Sequence, residues 1–363
     1  TIILTGHLDA PRGATEPGGF DFQRHAWFRQ LGAVGYTRTP VLALTPPDPD
    51  AWRLFIHRTR MAISGAVQDA VPGQAGAFAA AVTTGDRSGM ALTTIEDLRR
   101  SNLAHLLAIS GLHMGMLTGF VFAAMRYGLA LWPYAALRWP CHKIGALAAL
   151  AAGAVYLLLS GGNVATERAF IMVSVMLVAV LFDQRALTLR AVALAALIVL
   201  ALRPEELMGP GFQMSFAATA ALIAVFAEVR DRSFGQWPAW ARWGAALVLS
   251  SAVAGLATAP VAAAHFNRVP HFGLIANVLS VPVMGSVVVP AAVLAAILAP
   301  LGLSGVALWV MEKGTAWILS VAAEVSSWNG AISHVPQPSA AVLPLLALGG
   351  AWVILWQGRS RAL

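Results

Sequence analysis

Four polar side chains stand close together in an otherwise apolar stretch and define what chemistry this chain could attempt. They are Asn102, His105, Ser110 and His113 in NLAHLLAISGLHMGMLTG, residues 102–119. Two histidines invite a metal ion, but their separation is ~12 Å along a helix, so one ion cannot join them without further ligands. No HxH, HExxH or CxxC pattern occurs anywhere in the chain, and no metal or other cofactor is expected. Ser110 before Gly111 invites a nucleophile, with His265 or His271 as a base on another span. Rhomboid-like proteases carry GxSG, however, and here Ala108 stands where the first glycine would be. A serine bonded to its own helix is the plainer reading.

The third possibility is a wall without reaction chemistry. At about 100° per residue, Gly111, Gly115 and Gly119 form one narrow strip, expected to admit a neighbouring helix closely. Asn102, His105, Ser110 and His113 then share an arc of roughly 140° on the other side. Polar groups at membrane depth face partners or a water-filled cavity, so the stretch reads as one helix lining a pore. Further polar candidates are Arg168 beside Glu167, Gln213 and Ser215 in GFQMSF, and Asn277 near Pro282. Arg168 can stand at headgroup level, or point inward as a phosphate contact or clamp. The others can line a path or bond neighbouring helices.

The elements that must position these groups are membrane helices. Hydrophobic residues make up 58% of the chain and charged residues 11%, with a mean hydropathy of +0.69, far from the balance of soluble proteins. One cysteine, Cys141, excludes an internal disulfide. The net charge of +7 suits a nucleic-acid partner, and retention of basic loops on the cytoplasmic side produces the same excess. The chain opens on Thr1 without a methionine or a signal-like segment, so it is expected to begin partway into a longer protein.

Each span needs about 17–25 apolar residues. The pattern predicts spans at Leu103–Met125, Ile144–Ser160, Ala165–Phe182, Leu187–Leu202, Gly211–Ala227, Gly244–Ala264 and Ala340–Trp356. Phe272–Ala299 is expected to be broken at Pro282 and Pro290, and Ser304–Val325, with Glu312 and Lys313, spans or lies at the interface. The fold class is therefore mainly α, a polytopic bundle of about eight or nine spans. A small β-rich external piece is expected over residues 1–48, an amphipathic helical connector over 49–101, and the membrane domain over 102–363. The connector groups Arg53, His57, Arg58 and Arg60 on its polar side, a solvated face or a contact for phosphates or lipid headgroups. Arg126, Arg138, Lys143, Arg185, Arg190, Arg230, Arg232 and Arg242 fall on one set of loops, against Arg203 and Arg268 on the other. The positive-inside rule then puts residues 1–100 outside the cytoplasm.

HLLAISGLHMG closely resembles the signature of ComEC-type competence proteins, inner-membrane channels that admit single-stranded DNA during natural transformation. ATERAFIM (165–172), GFQMSF (211–216), TAPVAAAHFNR (258–268) and LIANVLSVPVMG (274–285) follow in that family's order. The EPGGFDF segment resembles a turn in the family's external OB-like domain, where Phe20, Phe22, Trp27 and Phe28 near Arg24 and Arg29 could meet a single strand. The resemblance implies a multi-pass protein of the inner membrane that conducts one DNA strand, fed by a periplasmic DNA receptor and pulled by a cytoplasmic helicase-like motor. No His/Asp motif of the family's metallo-β-lactamase-like domain occurs in residues 1–363, so no enzyme activity is expected of them. A small-solute or ion transporter, with its site at the proline-broken helix, is the alternative; an intramembrane serine protease stands behind it.

Overall fold

The computed structural model describes residues 2–16, 19–45, 52–231 and 237–355. Arg232, Trp356 and the Pro17–Gly18 pair of the expected external turn lie outside the described residues. The chain divides into two compact units, Thr1–Phe55 and Ile56–Leu363.

The first unit holds β1 (Ile2–Ile3), β2 (Gly6–Asp9), α1 (Phe22–Phe28), β3 (Val34–Thr37) and β4 (Leu42–Ala43). β1 pairs antiparallel with β4, and β2 with β3 in the register Gly6↔Thr37 to Asp9↔Val34. Between the hairpin arms the chain forms a helix, not only a turn. Asp21 caps it, its Oδ1 accepting the Arg24 N–H at 2.9 Å, as an N-terminal aspartate should. Phe20 and Trp27 are exposed.

α2 (Trp52–Ala70) crosses the unit boundary, and α3 (Gly73–Thr84), α4 (Leu92–Arg100) and the single turn α5 (Ala104–Leu107) follow. Residues 56–101 fall in the same compact unit as the membrane bundle. Arg60 is not a solvated cation: its Nε donates to the Thr84 carbonyl at 2.7 Å.

The bundle proper comprises α6 (Gly111–Ala130), α7 (Pro133–Arg138), α8 (Cys141–Leu159), α9 (Val164–Leu181), α10 (Leu189–Leu202), α11 (Pro210–Asp231) and α12 (Ala239–Phe266). It continues through β5 (Arg268–Pro270), α13 (Gly273–Val283), α14 (Val289–Leu298), α15 (Ser304–Ser327), β6 (Ile332–His334) and α16 (Val342–Leu355). Among the described residues, six helical stretches are long and apolar enough to cross a membrane: α8, α9, α11, α12, Gly273–Leu301 and α15; α10 and α16 are shorter apolar helices. Exposed Leu147, Leu256, Leu294 and Val306 give these helices an apolar surface suited to lipid.

Two expectations about continuity change. The first span is not one helix from Leu103. Ala108 is extended (ψ 135°) and so is Ser110 (φ −117°, ψ 179°), so the chain leaves α5 and restarts at α6. Asn102 lies before both, in the left-handed region at φ 64°, a conformation asparagine tolerates. The angular arc drawn through Asn102, His105, Ser110 and His113 assumed one continuous helix, so these four do not form one stripe. Conversely, the proline-rich stretch is less broken than expected. Pro282 lies inside α13, Pro290 opens α14, and a π-helical turn, Met284–Val288, joins them.

α15 is the packed pillar of the bundle. Met311, Ile318, Ala322 and Val325 are buried in one core with Phe78 of α3, Leu98 of α4, Leu106 of α5 and Met284 and Val288 of the π turn. With 44% of its apolar window buried, α15 packs largely inside protein and is long and apolar enough to span. Packed pairs run α6 to α9, α9 to α10, α10 to α11, α11 to α12 and α12 to α13, and α14 returns to α6. The membrane helices thus close a circuit. α12 packs against α11 and α13 and keeps Leu256 exposed on another face.

Candidate functional site

The chemistry-bearing groups gather at three places on this circuit. The first is the restart of the chain at α6. Ser110 is its N-cap and His113 its third residue, and the two form a capping box. The Ser110 N–H points at His113 Nδ1 (3.3 Å), and Ser110 Oγ lies 3.2 Å from the same nitrogen. A backbone N–H can only donate, so Nδ1 is the acceptor and the ring proton sits on Nε2. Histidine here fills the position that Glu or Gln occupies in the usual box. His113 is buried, and its Nε2 has no partner among the described residues. His105 Nδ1 lies 3.0 Å from the Asn102 carbonyl. That ring is exposed.

The glycine strip faces differently from the expectation. A Cβ built on Gly111, Gly115 or Gly119 would meet nothing within 4 Å, so these glycines open a face and admit no neighbour. Close approach is made by glycines on the partner helices. Gly145 lies against the Phe122 carbonyl, Gly153 against Thr118 and Phe170, Gly285 against Met116, and Gly273 against Asn102. Spacing shows that glycines share a face; only the tertiary fold determines what that face meets.

The second place is the head of α9. Arg168 is buried; its Nη1 lies 3.4 Å from Glu206 Oε2, and its Nε donates to Ser215 Oγ at 3.3 Å. Arg203 pairs with Glu167 at 2.7 Å. The two pairs cross between α9 and the 3-10 turn Pro204–Met208, around a small crevice also lined by Ile171 and Val199. Of the two inward roles, this is the clamp: the guanidinium is already engaged. Glu206 stands 38 residues from Arg168, and no local sequence signal marks it as the partner. One turn away, Gln213 donates to the Leu207 carbonyl at 3.0 Å and meets His265 Nε2 at 3.1 Å.

The third place is α13. Asn277 Oδ1 and Ser280 Oγ are buried without partners among the described residues, one turn apart on one helix. Serines and threonines elsewhere in the bundle, such as Thr118, Thr258 and Thr315, bond the carbonyl one turn back. His271, offered as a base for Ser110, instead meets Ser333 at 2.7 Å. With His265 on Gln213, neither histidine serves Ser110. Among the described residues no three His, Cys, Asp or Glu side chains cluster as a metal site requires.

The helix ends sort into two sets. Lys143 and His142 meet Asp183 at 2.7 and 3.2 Å, joining two of the basic loops. At the other end Arg268 meets Glu96 at 2.6 Å, Ser326 donates to Asp97, and Tyr156 donates to the Val82 carbonyl. The start of α6 belongs to this second end.

The sequence model of the family described as Competence protein matches residues 82–360. The chain belongs to the competence protein family. Among curated relatives, this competence protein is 28% identical over 305 residues to ComE operon protein 3 of Bacillus subtilis, covering 83% of this chain and 36% of the relative. It is 28% identical over 335 residues to Competence protein ComA of Neisseria gonorrhoeae, covering 90% of this chain and 44% of the relative. It thus spans under half the length of these relatives. No solved structure matches it.

Proposed function

We propose that this competence protein conducts one strand of DNA across the inner membrane into the cytoplasm, as a polar-lined conduit without covalent chemistry. The carrying observation is the closed circuit of helices in which α14 returns to α6 while the glycine face of α6 stays open. DNA bears one charge per nucleotide, which low-dielectric surroundings strongly disfavour. A hydrated wall of backbone, amide and imidazole groups accommodates that charge without holding it, as passage requires. Arg168, neutralised by Glu206, leaves no strong phosphate trap at the head of α9. The basic loops face the cytoplasm on this reading, with a helicase-like motor pulling there and a periplasmic receptor delivering the strand to the opposite end.

The test is delivery of labelled DNA to the cytoplasm in transformable cells carrying Gly115→Trp in the full-length protein. Filling the open face should lower delivery at least about tenfold, on the same reasoning that lumen width limits flux, with DNA still captured at the surface and protein levels matched. Unchanged delivery would count against the conduit.

A second reading, a small-cation transporter, is favoured by one observation: the unpartnered Asn277 Oδ1 and Ser280 Oγ beside Pro282. Sodium or potassium flux into vesicles holding the protein, abolished by Asn277→Ala in the absence of DNA, would favour it.

A further inference from the structure

We infer that the segment joining α6 to α8 is a headgroup-binding collar that seats anionic phospholipid on Arg126 and Arg138. The inference stands apart from the passage of DNA and concerns the bilayer around the bundle.

The sequence builds this segment as a short stop between two long helices. In WPYAALRWP, residues 132–140, Pro133 takes the first position of α7, where a missing N–H breaks no intrahelical bond. Pro140 ends the helix, because the residue before a proline is driven to extended backbone. Trp139 is extended accordingly, at φ −107° and ψ 143°. Ala135 is buried and α7 packs on α6, so the segment is held against the bundle. Cys141 then opens α8, which is long and apolar enough to cross a membrane. With only Trp139 and Pro140 between the two helices, α7 stands at the end of a span, where hydrocarbon gives way to headgroups.

Its side chains match that level. Trp132, Tyr134 and Trp139 gather with ring centroids 5.7 to 6.5 Å apart, and all three are exposed. Trp and Tyr concentrate at membrane surfaces, where the ring meets an apolar phase and its polar edge meets water. Leu131 and Leu137 are 85% and 87% exposed, and acyl chains relieve that contact with water.

The arginines decide which lipid. On the same stretch His142 and Lys143 share Asp183. Arg126 and Arg138 pair with no carboxylate among the described residues. Each instead lies over a tyrosine face, Arg126 at 5.7 Å from the Tyr127 centroid and Arg138 at 5.1 Å from that of Tyr134. A stacked guanidinium keeps its edge N–H groups for a phosphate. A nucleic acid supplies phosphates but no apolar phase for Leu131 and Leu137. A zwitterionic lipid supplies the phase but leaves two positive charges uncompensated. An anionic phospholipid supplies both.

The measurement uses the full-length protein in phosphatidylcholine nanodiscs with a trace of photoreactive lipid, either phosphatidylglycerol or phosphatidylcholine. Adducts on residues 126–143 are quantified by peptide mass. In the parent protein the anionic lipid should label this segment at least about tenfold more than the zwitterionic one. Arg126→Gln and Arg138→Gln should each lower the anionic adduct about fivefold, the scale of one basic side chain at an anionic surface. Arg138→Lys, which keeps the charge, should retain most of it, and the zwitterionic adduct should not change in any variant. Equal labelling of the parent by the two lipids would overturn the proposal whatever the variants do. So would undiminished anionic labelling in both glutamine variants, with assembly intact as judged by protease resistance. A photoreactive single-stranded oligonucleotide that displaces the anionic lipid and crosslinks to the same peptide would overturn it in favour of nucleic acid.

Discussion

Arg168 and Glu206 face each other at 3.4 Å with only 8% and 18% of their side chains exposed, across 38 residues of sequence. Burying such a pair costs desolvation that the attraction offsets only when further hydrogen bonds complete it. Ser215 supplies one to the guanidinium. Gly211 makes room, since a Cβ there would stand 2.9 Å from an Arg168 nitrogen. Removing one partner strands the other: Glu206→Ala should destabilise the bundle by about 3 kcal/mol, seen as a lower midpoint of thermal unfolding in detergent. The double replacement Arg168→Met with Glu206→Leu should recover most of the loss, because no charge is left uncompensated. A double variant as unstable as the single would mean that the pair's geometry, and not its charge balance, carries the stability.

Glycine substitutions should separate the open face of α6 from the packed faces. Gly115→Leu should assemble normally, since its side chain enters open space, whereas Gly153→Leu must displace Thr118 and Phe170. Overpacking of that kind costs about 1–3 kcal/mol. Protease resistance of the two variants in membranes is the measurement; a disordered Gly115→Leu beside an intact Gly153→Leu would reverse the assignment of faces.

How far the sequence carried this fold depends on what each signal encodes. Apolar runs locate the membrane helices because burial from water needs only composition and length. The restart at Ala108–Ser110 escapes that signal, because LLAIS is as apolar as a helix interior. Its mark is the Ser110–His113 capping box, hidden by histidine in place of the usual Glu or Gln. The crossed pairs of Arg168 with Glu206 and Glu167 with Arg203 join separate elements, and no local pattern reports such a pairing. Asn102 beside Gly273 is legible only once α13 is in place.

Acid should loosen the corner where α2, α3 and α4 meet. The Ser64 hydroxyl, donating to Asp86 at 2.6 Å, holds that carboxyl below its ordinary value of 3.8, with help from Ser88 and Arg60 against the effect of burial. A carboxyl held low in the folded state contributes stability above about pH 4, and that contribution is lost as pH falls through the lower folded value. Hydrogen exchange at the Ser88 amide, which donates to Asp86 Oδ1 at 3.0 Å, should show protection that fades below about pH 4. Asp86→Asn should remove this acid dependence; an unchanged profile in that variant would assign the dependence to another group.

Cys141, the single cysteine of the chain, tests orientation without any engineered reporter. It is half-buried at the start of α8, two residues before Lys143 and on the end that carries the Lys143–Asp183 pair. With this chain's cysteine the only one in the protein used, a membrane-impermeant maleimide should label it in inside-out vesicles and not in intact spheroplasts. Labelling in spheroplasts would invert the topology drawn from the loop charges.

The conduit itself is tested most directly by asking which face of the bundle touches DNA in transit. A photo-crosslinking residue at Gly115 sits on the open face of α6, and the same residue at Leu256 sits on the outward apolar surface of α12. DNA stalled during uptake, its trailing end blocked by a bulky protein adduct, holds a strand within the membrane at the moment of illumination. The account predicts crosslinks to the single strand from position 115 and none from position 256. Crosslinks from 256, or none from 115 while the strand is arrested, would contradict it.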